Sequence, residues 1–286
     1  MALTPPVVLT IAGFDPSSGA GVTADIKTIA AHECYGVSCI TALTVQSTQG
    51  VRRVEPVDPG LITQILQELI QDVEVAAVHI GMLGTEPVAR AVAEFLELAR
   101  LPHVVLDPIL KSSSGADLLD AGGTRLLIER LVPLAEVITP NLDEAATLTG
   151  MPVANLNQMR EAAARLHSLG AANVVITGGD LGKATDLLSF TTSRGVEQET
   201  FKADRLKSTS THGTGCAFAT ALACHLAHDR GLPEAVLLSK AYVSAAIVNA
   251  HPMGHGTGPL HHLYRMNQQR RPITAVPEAD TAHSRN

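Results

Sequence analysis

The sequence predicts an α/β fold: a mostly parallel central sheet, helices on both faces and an antiparallel hairpin at one edge. Three observations carry this. Short β-branched runs alternate with helix-length segments of 3.6-residue periodicity, which implies parallel strands joined by right-handed crossovers. The runs are apolar throughout rather than alternating, as strands covered on both faces are. Residues 186–207 break the rhythm with two polar-flanked runs around Ser193–Gly195, the pattern of a hairpin.

In chain order, "VVLTIAG" (7–13), "SCITALTVQ" (38–46), "VAAVHIG" (75–81), "HVVLDP" (103–108), "EVITPN" (136–141) and "NVVITGG" (173–179) read as strands. Between them, "PGLITQILQELIQDV" places Leu61, Ile65, Leu66, Leu69 and Ile70 on one helical face, and "EPVARAVAEFLELA" repeats the pattern. Two long apolar helices follow, from Thr214 to about His228 and from Pro233 to about Ala250. The sequence shows no internal repeat and no linker. It is expected to form one domain over residues 1–264, followed by a flexible tail over 265–286 that lacks periodicity.

A chain of 286 residues, 45% of them hydrophobic, can bury one large core. Its net charge of −7 and 3% aromatic content argue against a nucleic-acid partner, which calls for basic patches or stacking platforms. The opening "MALTPPVVLTIAG" has no basic start, and its apolar run is too short for a signal peptide or a membrane span. Cysteines 34, 39, 216 and 224 form no C-x-x-C pair, so neither zinc nor disulfides organise the chain. A cytoplasmic enzyme is the expectation.

Several motifs carry chemistry. Gly13, Gly19 and Gly21 follow the first strand, but not at G-x-G-x-x-G spacing, and the second strand ends in Gln46 instead of an acid, which rejects a dehydrogenase. Glycines here suit close backbone approach to a ligand. "ITGGDLGKATD" has Thr177 where a Walker loop begins with glycine, so that motif is rejected too. Asn141 and Glu144 read equally well as a helix capping box or as part of the water shell of Mg²⁺. Asp107, at a strand exit, is either a loop cap or a carboxylate facing a metal-bound triphosphate. The most informative stretch is "STSTHGTGCAFATALACHLA". Gly213, Thr214 and Gly215 open an alanine-rich helix, so unpaired amides converge there and form an anion hole without lysine. Ala219, Leu222, Ala223 and Leu226 are expected to seat that helix on the sheet. Cys216, in its first turn, should feel the helix dipole and have a lowered pKa.

"GFDPSSGAG", "TALTVQSTQGV", "GMLGT", "LDPIL", "ITPNLDEA" and "THGTGC" occur in an order that resembles the bacterial hydroxymethylpyrimidine/phosphomethylpyrimidine kinases of thiamine biosynthesis. That family belongs to the ribokinase superfamily, and the likeness covers about residues 5–264. The resemblance implies a ribokinase-like three-layer fold. It also implies ATP-dependent phosphorylation of 4-amino-5-hydroxymethyl-2-methylpyrimidine and then of its monophosphate. Gly213, Thr214 and Gly215 would hold the transferring phosphoryl group, and Cys216 would sit beside the acceptor hydroxyl as base. Gln46 would read the pyrimidine edge, with Asp25, Met82 and Gly13 completing the substrate pocket. Asp107, Asn141, Thr211 and Lys240 would serve the nucleotide, and Glu144 with Asn141 the Mg²⁺ through water. A homodimer is typical, and the edge hairpin offers a contact.

Three departures accompany the resemblance: Thr177 replaces a usual lysine, Phe14 a small polar residue, and His79 a frequent lysine. His251, His255, His261 and His262 are not expected to bind metal. A pyridoxine or pyridoxal kinase is the alternative within the same chemistry. A non-catalytic pyrimidine-binding relative is the alternative outside it, and Thr177 is the feature that favours it.

Overall fold

The structure, a computed structural model, describes residues 4–112, 114–179, 181, 183–206 and 208–268. The expected tail from 269 onward lies outside these residues.

One sheet of nine strands, in the order β3-β2-β1-β4-β5-β6-β7-β8-β9, organises the chain. The strands are β1 (Val7–Phe14), β2 (Tyr35–Ser47), β3 (Gly50–Pro56), β4 (Val75–Ile80), β5 (Val104–Leu106), β6 (Val137–Ile138), β7 (Asn173–Ile176), β8 (Ala184–Thr192) and β9 (Gly195–Ala203). From β2 to β7 the pairings are parallel; β3 at one edge and the β8–β9 hairpin at the other are antiparallel. The helices are α1 (Gly21–Ala31), α2 (Pro59–Asp72), α3 (Glu86–Ala99), α4 (Ala121–Leu126), α5 (Val132–Leu134), α6 (Leu142–Thr149), α7 (Leu156–Ser168), α8 (Thr214–Ala227), α9 (Leu232–Val248) and α10 (Tyr264–Gln268). A π-helical turn, Leu127–Leu131, joins α4 to α5.

The unbroken apolar runs have a direct structural cause. Alternate residues of one strand serve two different cores. Leu9, Ile11, Val78, Ile80, Leu106, Ile138 and Val174 pack with α2, α3 and α7 on one face. Val8, Ala77, Val105, Val137 and Val175 pack with α1, α8 and α9 on the other. Each fully buried aliphatic side chain contributes about 1.5–3 kcal/mol. Ala219, Leu222, Ala223 and Leu226 of α8 lie in the second core, as the sequence implies, and small side chains let this helix approach the strands closely.

The structure corrects four expectations. Strand β3 has no counterpart in the sequence reading. The buried face of α2 centres on Ile62 and Leu66, while Leu61 is 48% exposed. The strands expected over 103–108 and 136–141 shrink to three and two residues. Residues 264–268 form a helix rather than the start of a loose tail, and Tyr264 is buried against Tyr242.

Because β1, β2, β4, β5 and β6 run in one direction, their exits gather at one edge of the sheet. Gly13, Gln46, Met82, Asp107 and Asn141 all leave the sheet there, the place where open parallel sheets bind ligands.

Candidate active site

The N-terminus of α8 is built by a backbone that only glycine permits. Gly213 has φ +81°, and a Cβ on it would fall 1.9 Å from the carbonyl oxygen of Gly19. The loop after β1 and the loop before α8 thus touch backbone to backbone. Thr214 donates its hydroxyl to the carbonyl of Thr211 at 2.6 Å, and its amide turns back to the same oxygen at 3.4 Å. Thr211 is therefore the turn that shapes the loop. The amides of Gly213, Gly215 and Cys216 carry no hydrogen-bond partner among the described residues. They are the unpartnered amides that the sequence places at the head of α8, with Thr214 withdrawn from them. Across this opening, a Cβ on Gly215 would stand 3.8 Å from Asp107 Oδ2.

A segment near the C-terminus fastens this loop. His212 donates its amide to Gly258, and Gly258 donates to Thr209. Thr257 donates to the carbonyl of Thr48, at the β2–β3 turn. Gly254 and Gly256 fit so tightly on Thr48 that any side chain would collide with it.

Cys216 sits where expected but in an electrostatic setting opposite to the expected one. Burial pushes its thiol well above the ordinary cysteine value, and Asp107 and Asp25 push it further. The helix dipole is outweighed by desolvation and two nearby carboxylates, so the resting group is a thiol. That thiol lies close enough to Asp107 to pull its carboxyl down. Asp107 is itself raised to about 7, first by burial and then by Asp25, against the opposing pull of His79 and Cys216.

Asp25 is not a wall of the pocket. It is fully buried, and its carboxylate accepts hydrogen bonds from Thr10 at 2.7 Å and Thr220 at 2.8 Å, with His79 Nδ1 at 3.3 Å. It lies beneath the site, and His79 is its counter-ion. Burial alone would lower the His79 pKa, but Asp25 and Asp107 outweigh it and raise it. The sequence reading named His79 only as a substitution.

Met82 and Gly13 meet, and Gln46 stands apart from them beside Thr44 and His212. Met82 packs with Ala42 and Leu118, and a Cβ on Gly13 would meet the Met82 sulfur at 2.8 Å. Gln46 lies beside His212, with Nε2 atoms 3.2 Å apart. His212 Nε2 is also 2.8 Å from Asp15 Oδ2. Burial pushes the Asp15 carboxyl up, yet the hydrogen bonds from His212 and Ser17 prevail and hold it below its ordinary value. Asp15 and His212 stood inside motifs quoted from the sequence, but nothing in their spacing showed that they meet.

Asn141 and Glu144 form a complete capping box: Glu144 donates its amide to Asn141 Oδ1, and Asn141 donates its amide to Glu144 Oε2, each at 2.9 Å. The structural alternative left open by the sequence is therefore present. It does not exhaust the pair. Burial and nearby Asp107 push Glu144 up to about 8, so two neighbouring buried carboxyls resist ionising together. That donor set fits a hydrated divalent cation, which would offset the repulsion; among the described residues no cluster of three ligands exists for direct binding. Thr177 bridges to Asn141 on the neighbouring strand exit. Lys240 does not project freely toward this region: its ammonium donates to Asp186 at 2.6 Å, and Asp186 also accepts from the Gly178 amide. It braces the loop after β7. His262 is buried against Thr28, and His251 stacks near His261.

Known proteins resemble this chain in sequence and in fold. A family model described as phosphomethylpyrimidine kinase matches residues 15–261. The chain is 40% identical over 267 residues to the hydroxymethylpyrimidine/phosphomethylpyrimidine kinase of Streptomyces coelicolor, covering 93% of this chain and 97% of that one. It is 43% identical over 258 residues to the thiamine biosynthesis bifunctional protein ThiED of Geobacter sulfurreducens, covering 90% of this chain but spanning about half (52%) of that longer protein. Among solved structures, Bacillus subtilis pyridoxal kinase in complex with ADP superposes with TM-score 0.83 at 34% identity, over 92% of this chain and 100% of that one. Phosphomethylpyrimidine kinase from Clostridium difficile superposes with TM-score 0.75 at 35% identity, over 85% and 99%. Among the described residues no helix is long and apolar enough to cross a membrane.

Proposed function

The chain belongs to the phosphomethylpyrimidine kinase family, and from that premise we propose that it transfers the γ-phosphoryl group of ATP to 4-amino-5-hydroxymethyl-2-methylpyrimidine and then to the monophosphate, in thiamine biosynthesis. The observation that carries the reading is the meeting of two parts in one site: Gln46 reaches the loop whose free amides open α8, through His212. A hydrogen-bonding amide thereby stands beside an anion hole. Phosphoryl transfer needs positioning and charge stabilisation above all. The Gly213, Gly215 and Cys216 amides would supply the latter, each such donor contributing about 3 kcal/mol.

The proton of the acceptor hydroxyl needs a destination. With its thiol protonated at rest, Cys216 would take that proton on sulfur while its own passes to Asp107. One O–H and one S–H bond break, and one S–H and one carboxyl O–H form. Such base catalysis contributes about 10²–10⁴-fold. Glu144 and Asn141 would hold Mg²⁺ through water, where the ion neutralises phosphate charge. Lys240 would act on the nucleotide through the loop it braces.

The pyridoxal reading draws on the Bacillus subtilis and other pyridoxal kinase neighbours. Gln46 weighs against it, because a site built to hydrogen-bond an aminopyrimidine edge discriminates against rings that lack it. The non-catalytic reading rests on Thr177 alone. We further propose a cytoplasmic homodimer. Leu43 and Val45, exposed on the β2–β3 ribbon, are a better contact for it than the hydrophilic β8–β9 hairpin. A coupled assay of ADP release with the pyrimidine alcohol, its monophosphate and pyridoxal tests the function. Turnover highest on the pyrimidines supports it; turnover confined to pyridoxal, or none with any acceptor, overturns it.

A further inference from the structure

The direction in which the Gln46 amide faces is fixed by proton bookkeeping around it. Asp15 accepts from the Ser17 amide at 2.8 Å, the Ser17 hydroxyl at 2.7 Å, the Gly19 amide at 3.3 Å and the Ala20 amide at 3.0 Å. It is an acceptor only, so the close contact to His212 Nε2 requires that nitrogen to carry a proton and donate. Gln46 lies 3.2 Å from the same nitrogen, which can share its N–H only with an acceptor there, the amide oxygen. On the opposite side, Thr44 has one hydroxyl proton and gives it to the carbonyl of Phe14 at 2.9 Å. Gln46 Oε1 lies 3.1 Å from the Thr44 hydroxyl, which has no second proton to give it, so the amide is turned over to set its NH₂ toward Thr44. Both neighbours demand the same orientation: oxygen toward His212, nitrogen toward Thr44. Oxygen and nitrogen of a side-chain amide are assigned from such networks, and the turned amide satisfies both neighbours.

We propose that His212, held by Asp15, is a positioning residue for specificity: it fixes the orientation of the Gln46 amide and so sets which donor and acceptor pattern a bound ring must present. With one lone pair and one N–H engaged, the amide keeps one acceptor and one donor for a ligand, in a fixed order. A ring with a nitrogen beside an exocyclic amine satisfies both. Without His212 the amide loses the partner that distinguishes its two ends, and it rotates to suit either pattern. His212 is seated for this task. A Cβ on Gly19 would come within 2.3 Å of its ring, so the first glycine loop leaves room for the imidazole, and its backbone is pinned by Gly258.

This inference rests on the function proposed above, and the test separates the two. kcat/KM is measured for the aminopyrimidine alcohol and for 5-hydroxymethyl-2-methylpyrimidine, which lacks the amine, in the wild type, His212→Leu, His212→Gln and Asp15→Asn. The wild type should prefer the amine-bearing alcohol by at least a hundredfold. His212→Leu and Asp15→Asn should each cut that ratio at least tenfold, while His212→Gln, whose amide can still donate to both partners, should retain most of it. If His212→Leu does not fold by circular dichroism, Asp15→Asn and His212→Gln still give opposite outcomes. Equal losses on both alcohols, with the ratio kept in every variant, would make His212 merely structural and overturn the inference. A wild type that ignores the amine overturns it as well. A wild type inactive on both alcohols overturns instead the functional reading on which it stands.

Discussion

Cys216 and Asp107 act on each other where the first turn of α8 meets the exit of β5: Asp107 pushes the buried thiol up, and the thiol pulls the Asp107 carboxyl down. Acting in series on one proton, the pair should behave as a unit in mutagenesis. Cys216→Ala and Asp107→Asn should each lower kcat on the pyrimidine alcohol by about 10²–10⁴-fold. The double variant should be little worse than either single. Additive losses would show two separate roles. The monophosphate acceptor is already ionised, so its phosphorylation should suffer far less from Cys216→Ala.

The acid limb of the rate profile follows from the same pair. Asp107 must be ionised to receive the proton, and burial raises it to about 7. The rate on the alcohol should therefore fall as pH drops below about 7, and Asp107→Asn should abolish that limb. His79, Asp25, Glu144 and Cys216 all face this carboxyl, so the measured midpoint belongs to the cluster.

Gly213→Ala should abolish activity on both acceptors. Its φ of +81° is strained for any side chain, and the added carbon would land on the Gly19 carbonyl. Both loops must then part. A variant that keeps half of the wild-type rate would show that their contact is dispensable.

His79→Leu leaves the buried Asp25 carboxylate without its counter-ion, a loss of about 3–5 kcal/mol measurable by urea unfolding. Adding Asp25→Asn should recover part of it. The pH sign is fixed as well. A histidine whose folded pKa is raised stabilises fully below its unfolded value near 6.5, and that stabilisation fades as pH climbs through the higher folded value.

The rear of the molecule carries the opposite sign. Burial holds His32 and His262 down to about 4 and His225 to about 3. Unfolding lets each take a proton, so stability is full above about 6.5 and is lost as pH falls toward 4. Among the described residues, the Nε2 of His225 is buried without a partner. His225→Phe should therefore stabilise the chain at pH 5 relative to pH 7.5, by roughly 1–2 kcal/mol in differential unfolding. An equal effect at the two pH values would place the acid sensitivity elsewhere.

How much of this was readable from the residues depends on what each signal encodes. β1, β4 and β7 were legible because burial on both faces writes an unbroken apolar run. β3 was hidden because Arg52, Arg53 and Glu55 give a solvent-facing edge strand no apolar signature. The glycine-opened start of α8, with its unpartnered amides, was legible because Gly-Thr-Gly before alanines is a local statement about backbone. The state of Cys216 was not, since its raised pKa comes first from burial and then from carboxyls that arrive from β5 and α1. Asp25 reads as polar at any position, and only packing shows that Thr10, Thr220 and His79 enclose it. The meeting of Asp15, His212 and Gln46 depends on three loops that only the sheet order brings together.

The segment from Gly254 to Pro259 belongs to no helix or strand, yet it stitches the β2–β3 turn to the loop before α8. Those residues leave the ribosome after every strand has been made. During synthesis the sheet can assemble first, but the cleft acquires its final shape only when this late clasp closes over it.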